Sequence, residues 1–299
     1  HGNRRADGGM TRRGGTGARG RPSRPRERGS AGQGPAGARQ RPGSPGPARQ
    51  GPPERLAKAL ARAGAGSRRD IERMIAEGRI AIDGTVVTTP ATLVTSLDGI
   101  TLDGQPVAPA EPTRLFLFHK PAGFLTAARD PAGRPTIYDI LPAGLPRLIP
   151  VGRLDLNTEG LLLLTNDGAL KRRLELPANA IERVYRVRVM GRVTQAELER
   201  LALGMEVDGI RYGPVDAEID RRASQGSANL WLTMRLAEGR NREVRRLCEA
   251  LGLRVSRLIR TAFGPFALGA LPPRAVAEVP AAEVARLARP EGRPPRARA

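Results

Sequence analysis

The chain has one cysteine, Cys248, and two histidines, His1 and His119, among its 299 residues. A single thiol has nothing to pair with, so an internal disulfide is excluded and a reducing compartment is expected. With so few soft donors, no Cys/His metal cluster is expected either. No run approaches the roughly 18 apolar residues of a membrane-spanning helix, and the first residues lack the apolar core of a signal peptide. A cytoplasmic protein with no membrane partner is the expectation, and a monomer is the default. No internal repeat is visible.

Basic charge is abundant. Residues 1 to 50 hold twelve arginines against Asp7 and Glu27, with thirteen glycines and six prolines, and Met10 is their only large apolar side chain. Such a stretch cannot bury enough surface to offset its ordering entropy, so residues 1–52 and the arginine-rich residues 289–299 are expected to be disordered tails. The tails carry +10 and +3 of the chain's +20, which leaves +7 for the central body. Each phosphate neutralised by Lys or Arg releases condensed counterions, so this balance points to nucleic acid as partner.

Order is expected to begin near Glu54. Leu56, Ala59, Leu60 and Ala63 repeat at helical spacing, and Gly64 can end that helix. Ser67 with Asp70 makes a capping box for a second helix striped by Ile71, Met74 and Ile75, with Gly78 at its exit. Arg79-Ile80-Ala81-Ile82 then runs into Asp83-Gly84, a hairpin turn before Thr85-Val86-Val87. The two helices would present Arg55, Lys58, Arg62, Arg68, Arg69 and Arg73 on a small body, a surface suited to tracking phosphates. The same charges would serve a merely solvated face. The segment, residues 54–104, resembles the S4 RNA-binding domain, which implies RNA contact but no reaction.

Residues 105–113, with the prolines and alanines of Ala108 to Pro112, read as a linker. Beyond them, over residues 114–288, strands dominate. Leu115 to Phe118 reads as a strand stopped by the Lys120-Pro121-Ala122-Gly123 turn. Arg183 to Met190 alternates strictly, placing Tyr185, Val187 and Val189 on one face and Arg186 and Arg188 on the other. Thr194 with Glu197 caps a helix to about Leu203, Leu230 to Leu236 forms another strand, and Asn241 to Leu251 a helix ended by Gly252. The fold class is α+β: a helix-helix-hairpin unit, then a domain with a mixed, largely antiparallel sheet flanked by helices.

The segment from Gly152 to Gly168 concentrates the chemistry. Asp155 stands beside Arg153 and just ahead of Leu161-Leu162-Leu163-Leu164, a run without polar alternation that reads as an element covered on both faces, with turn chemistry at Asn166-Asp167-Gly168. A carboxylate at the lip of a core is costly unless paired, hydrogen-bonded or used. Spacing alone leaves it equally explained as a turn aspartate.

Together with His119-Lys120-Pro121-Ala122-Gly123, Gly133-Arg134-Pro135-Thr136, Glu182 to Val187 and Glu238 to Leu247, this segment resembles, block by block and in order, the RsuA-type pseudouridine synthases. Its nearest look is to the RluB branch, which acts on large-subunit ribosomal RNA. The resemblance implies isomerisation of a flipped-out uridine near the peptidyl-transferase centre, with ribosomal RNA or a subunit assembly intermediate as partner and no cofactor. It also implies roles: Asp155 as the indispensable carboxylate, whether nucleophile or base; Arg245 as the cation that holds it ionised; Tyr185 as stacking ring and proton carrier; Arg153 as the wedge that fills the vacated stack. Two other outcomes stay open: a small-subunit synthase, which shares every block, and a ribosome-binding S4 protein without chemistry. At Cys248 relatives often carry an aromatic residue, and at Arg183 lysine is also frequent.

Overall fold

A computed structural model of the chain describes residues 52–224 and 229–288. The two basic tails lie outside the described residues, apart from Pro52. The first helix, Leu56–Arg62, and the second, Arg68–Ala76, bury Leu56, Leu60, Ile71 and Ile75 against each other. The capping box is in place, with Ser67 Oγ accepting from Asp70 N at 3.1 Å and Asp70 Oδ2 accepting from Ser67 N at 2.9 Å. Ile80–Ile82 and Thr85–Val86 form the expected hairpin, its turn residues Asp83 and Gly84 both at positive φ. That geometry is the primed turn that matches strand twist.

A second such turn, Asp103-Gly104, joins Ile100–Leu102 to Gln105–Pro106 and completes a four-stranded sheet. The linker read over residues 105–113 therefore starts after Pro106, because Gln105 and Pro106 still pair with Leu102 and Thr101. Glu54–Arg55, just ahead of the first helix, is a short strand paired with Leu93–Val94, so Arg55, expected on that helix's face, precedes it. Arg55, Arg62, Arg68, Arg69 and Arg73 are exposed, while Lys58 is half-buried and pairs with Glu54 at 2.8 Å.

The second body is built on a nine-stranded sheet. Its main order is Val215–Ile219, Asn229–Leu236, Arg183–Met190, Arg254–Phe263, Glu159–Thr165, Leu115–Lys120 and Val276–Glu278. Ile149–Val151 and Phe266–Ala267 pair off this path. All neighbours run antiparallel except Arg254–Phe263 beside Glu159–Thr165, joined through Ile259 to Glu159 and Arg260 to Gly160. The four leucines explain their lack of alternation: Leu161 and Leu163 enter one core with Leu115, Val151 and Phe263, and Leu162 and Leu164 enter another with Phe116, Phe118 and Leu154. A strand covered on both faces has no polar side to show.

The turn expected at Asn166-Asp167-Gly168 is a helix start instead. Asp167 caps Gly168–Glu175 by accepting from Ala169 N at 2.7 Å. The helix expected from Asn241 begins later, at Glu243, because Arg242 is held at φ +54. Gln195–Glu199, capped by Thr194, leads into a further turn to Leu203 as expected. No helix among the described residues is long and apolar enough to cross a membrane.

Candidate active site

Asp155 lies in the loop between Ile149–Val151 and Glu159–Thr165, and neighbours fix that loop through its backbone. Thr158 N donates to Asp155 O at 3.0 Å, closing a tight turn, and Gly123 N donates to Leu156 O at 2.8 Å. Thr126 Oγ1 donates to Leu154 O at 2.8 Å, while Glu175 Oε1 accepts from Gly152 N at 2.6 Å. Beneath the loop, the fully buried Lys120 Nζ reaches the carbonyls of Thr158 at 2.9 Å, Asp155 at 3.0 Å, Pro121 at 3.1 Å and Leu156 at 3.4 Å. The Asp155 carboxylate itself accepts no hydrogen bond from the described residues. Its backbone is held and its side chain is left for something else.

Burial pushes the Lys120 ammonium down to about 8, against the opposing pull of Asp155 and Glu159. The folded state therefore releases this proton before an unfolded lysine would, near pH 10.4. Between those values the folded chain binds fewer protons, so the burial cost is full below pH 8 and fades as pH rises toward the unfolded value. Activity should run the other way. An ammonium has three N–H donors for these carbonyls and an amine only two, so the loop loosens on deprotonation. Turnover is expected to fall with an inflection near pH 8 while thermal stability does not fall with it. A rate that stays level well above pH 8 would show that loss of the Lys120 proton plays no part in turnover.

The loop forms one wall of a cleft of about 400 Å³. Arg153 and Asp155 line it, as do Tyr185 from the Arg183–Met190 strand and the Gly239-to-Val244 segment. Tyr185 is half-buried and packs against the core of Val187, Leu258 and Met234. No hydrogen bond from the described residues reaches its hydroxyl. Arg153 is exposed and has no partner among the described residues. The lining carries six basic side chains, Arg153, Lys171, Arg183, Arg240, Arg242 and Arg260, against Asp155, Glu175 and Glu243, so the cleft is electropositive as a polyanion requires.

The ion pair expected between Arg245 and Asp155 is not made. Arg245 comes from the Glu243–Ala250 helix and donates Nη2 to Asn157 O at 3.0 Å. This bond directs the guanidinium to the loop backbone rather than to the carboxylate, and leaves Arg245 Nε buried without a partner. Burial and neighbouring Arg242 disfavour the Arg245 cation, while Asp155 is near enough to favour it.

Unpartnered buried atoms mark the same place. Among the described residues they are Thr158 Oγ1, Glu243 Oε1, Arg245 Nε and Arg260 Nη2. Thr158, Glu243 and Arg260 line the cleft, and Arg245 adjoins it through Asn157. Each such group costs about 1–3 kcal/mol when nothing meets it, so their gathering along one cleft marks a place suited to a polar ligand. Burial also raises the Glu243 carboxyl above the usual range.

Sequence reasoning brought Asp155, Arg153 and Tyr185 to one cleft and placed Arg245 beside it. It assigned no role to Lys120, Arg260 or Glu243. No local signal marks Lys120, at the end of an apolar strand and before a proline, as buried, yet the six-residue strand buries it. For Arg260 a signal existed: it shares a strand face with Leu258, an arginine at an inward position.

Residues 114–250 match the RNA pseudouridylate synthase family and residues 54–100 the S4 domain. The chain is 42% identical over 226 residues to an uncharacterized RNA pseudouridine synthase of Rickettsia felis, spanning 76% of this chain and 96% of that one. A crystal structure of a pseudouridylate synthase with 28% sequence identity superposes at a TM-score of 0.54, covering 78% of this chain and 99% of the other. The chain belongs to the RNA pseudouridine synthase family and carries an S4 domain at its N-terminal side. More narrowly, it is 46% identical to the ribosomal large subunit pseudouridine synthase B of Pasteurella multocida, over 72% of this chain and 63% of that one. The protein of that name from Salmonella typhimurium is 44% identical, over 72% and 75%.

Proposed function

We propose that the chain isomerises a uridine of large-subunit ribosomal RNA near the peptidyl-transferase centre, with Asp155 as the reacting carboxylate. The observation that carries this reading is a carboxylate with no hydrogen bond from the described residues, on a backbone-clamped loop, lining one electropositive cleft with Tyr185. The identity to large-subunit synthases supports the choice of RNA.

The reaction breaks the bond from uracil N1 to the ribose, turns the base and rejoins it through C5. C5 loses a proton and N1 gains one, so atoms balance without redox change, and the protein must supply extrusion, charge and proton transfer; on the route through the sugar proton, Asp155 also returns what it removed. Extruding the base costs about a few kcal/mol, and Arg153, exposed at the rim, fills the vacated stack. The extruded uracil stacks on Tyr185. Asp155 attacks the sugar or removes a sugar proton, with Arg245 as the cation coupled to it. The Tyr185 hydroxyl, without a partner among the described residues, relays the proton lost from C5 toward N1, where one is gained. Arg55, Lys58, Arg62, Arg68, Arg69 and Arg73 grip phosphates away from the chemistry, fixing position rather than reading bases.

Two measurements test this. Full-length large- and small-subunit RNA transcripts are incubated with the protein and mapped for pseudouridine; modification in the small-subunit transcript alone would overturn the choice of RNA. In Tyr185→Phe, release of tritium from C5 of the target is expected to fall about a hundredfold or more, the usual weight of a positioned proton carrier. Wild-type release would reduce the ring to stacking.

A further inference from the structure

We propose that Arg183 and Arg260 form an anion subsite on the wall of the cleft that takes a phosphodiester flanking the target uridine, an inference that rests on the uridine-isomerase reading above. The two arginines come from adjacent strands and share the face that carries Tyr185. Arg260 stands directly across from Tyr185, and Arg183 across from Phe263. Both guanidiniums lie against the ring of Phe263, at 5.0 Å for Arg183 and 5.2 Å for Arg260. Both line the cleft.

Their orientation is fixed, but their charge is not answered. Arg183 Nη1 donates to the carbonyls of Ile181 and Ala237, each at 2.6 Å, and Arg260 Nε donates to Leu161 O at 2.8 Å. Gly239 presses on the Arg183 guanidinium so closely that a Cβ there would stand 3.3 Å from Nε. Carbonyl dipoles orient a guanidinium without neutralising it. Neither arginine has an ion-pair partner among the described residues, Arg260 is only 3% exposed, and its Nη2 has no acceptor at all. Burial weakens the Arg183 cation, and Arg260 pulls the same way. The nearby acid, Glu243, turns one oxygen to Arg240 N at 3.0 Å and is itself driven toward its neutral form by burial. A buried guanidinium beside a half-buried one is costly unless an anion completes them.

The chemistry of that anion follows from geometry. A guanidinium matches the paired oxygens of a phosphate, and two lining one cleft suit a group with several. In RNA the anions are phosphodiesters. With the uracil stacked on Tyr185, the linkage next to its ribose is the one within reach of Arg260.

The test uses the full chain and measures binding of uridine, uridine 5′-monophosphate, uridine 3′-monophosphate and inorganic phosphate by calorimetry or NMR titration. At least one monophosphate is expected to bind about tenfold or more tighter than uridine, the gain of a charge-assisted contact. Arg183→Gln and Arg260→Met should each abolish that preference while uridine binding holds. Should Arg260→Met fail to fold, the half-buried Arg183 decides, with folding checked by thermal melting. Equal affinity of the wild type for uridine and both monophosphates overturns the proposal, as does a preference that survives in Arg183→Gln. Turnover on ribosomal RNA by the same samples separates the two levels: conversion without phosphate preference sinks the subsite alone, and preference without conversion sustains the subsite and sinks the reading beneath it.

Discussion

Asp155→Asn is expected to fold as the wild type does, bind ribosomal RNA as tightly or more so, and lose turnover by at least about ten-thousandfold, the scale on which removal of a reacting group acts. The structure gives a reason for each part. The loop is held by the Asp155 carbonyl, which accepts from Thr158 N and Lys120 Nζ, and not by the carboxylate. Asparagine keeps that carbonyl and nearly the same volume, so melting should barely move. Binding should not weaken, because the exchange removes one of three acids among six basic side chains in a cleft that receives a polyanion. Only the chemistry needs the charge. Single-turnover conversion on a large-subunit transcript, run beside a binding titration, separates these effects. Turnover within about a hundredfold of wild type would remove Asp155 from the reaction, since a carboxamide is a poor nucleophile and a poor base.

That contrast also shows what kinds of information the sequence held. Periodicity and turn chemistry located the elements where local signals act: the strand from Arg183 to Met190, the Ser67–Asp70 cap and the Asp83-Gly84 hairpin all follow from residues a few positions apart. Block order carried the site, bringing Asp155 and Tyr185 into one cleft from stretches of chain thirty residues apart. What stayed hidden depends on contacts no spacing encodes. Lys120 holds the Asp155 loop because its strand ends beneath a loop more than thirty residues further on, and a lysine before proline gives no hint of that. The Arg245 contact with Asn157 is a choice between two acceptors on one loop, backbone carbonyl or carboxylate, and sequence cannot rank them. Arg242 at positive φ moved a helix start by two residues, a backbone event that side-chain pattern does not register.

Gly160→Ala is expected to be the most damaging single substitution outside the chemistry itself. Gly160 sits where the one parallel pairing of the large sheet meets the Asp155 loop, bonded to Arg260 on one side and Lys120 on the other. A Cβ at this position would lie 2.2 Å from Arg260 O and 2.7 Å from Arg260 N, and φ is +105. Both clashes are with backbone, so no rotamer change relieves them. A neighbouring strand would have to move, taking Arg260 from Leu161 and disturbing the pairing that carries Lys120. The expected cost is at least about 3–4 kcal/mol, in the range of strained or overpacked core positions, a large share of the roughly 5–15 kcal/mol that holds a domain together. Gly104→Ala is the matched control. Its φ is +77, yet nothing lies within 4 Å of the added carbon, so it should cost only about 1–2 kcal/mol for the left-handed backbone. Urea titrations of the two variants should therefore separate widely, with turnover lost in the first and kept in the second. Equal midpoints would mean that the two strands can part at Gly160 without loss, and that the clamp on the Asp155 loop does not depend on their close approach.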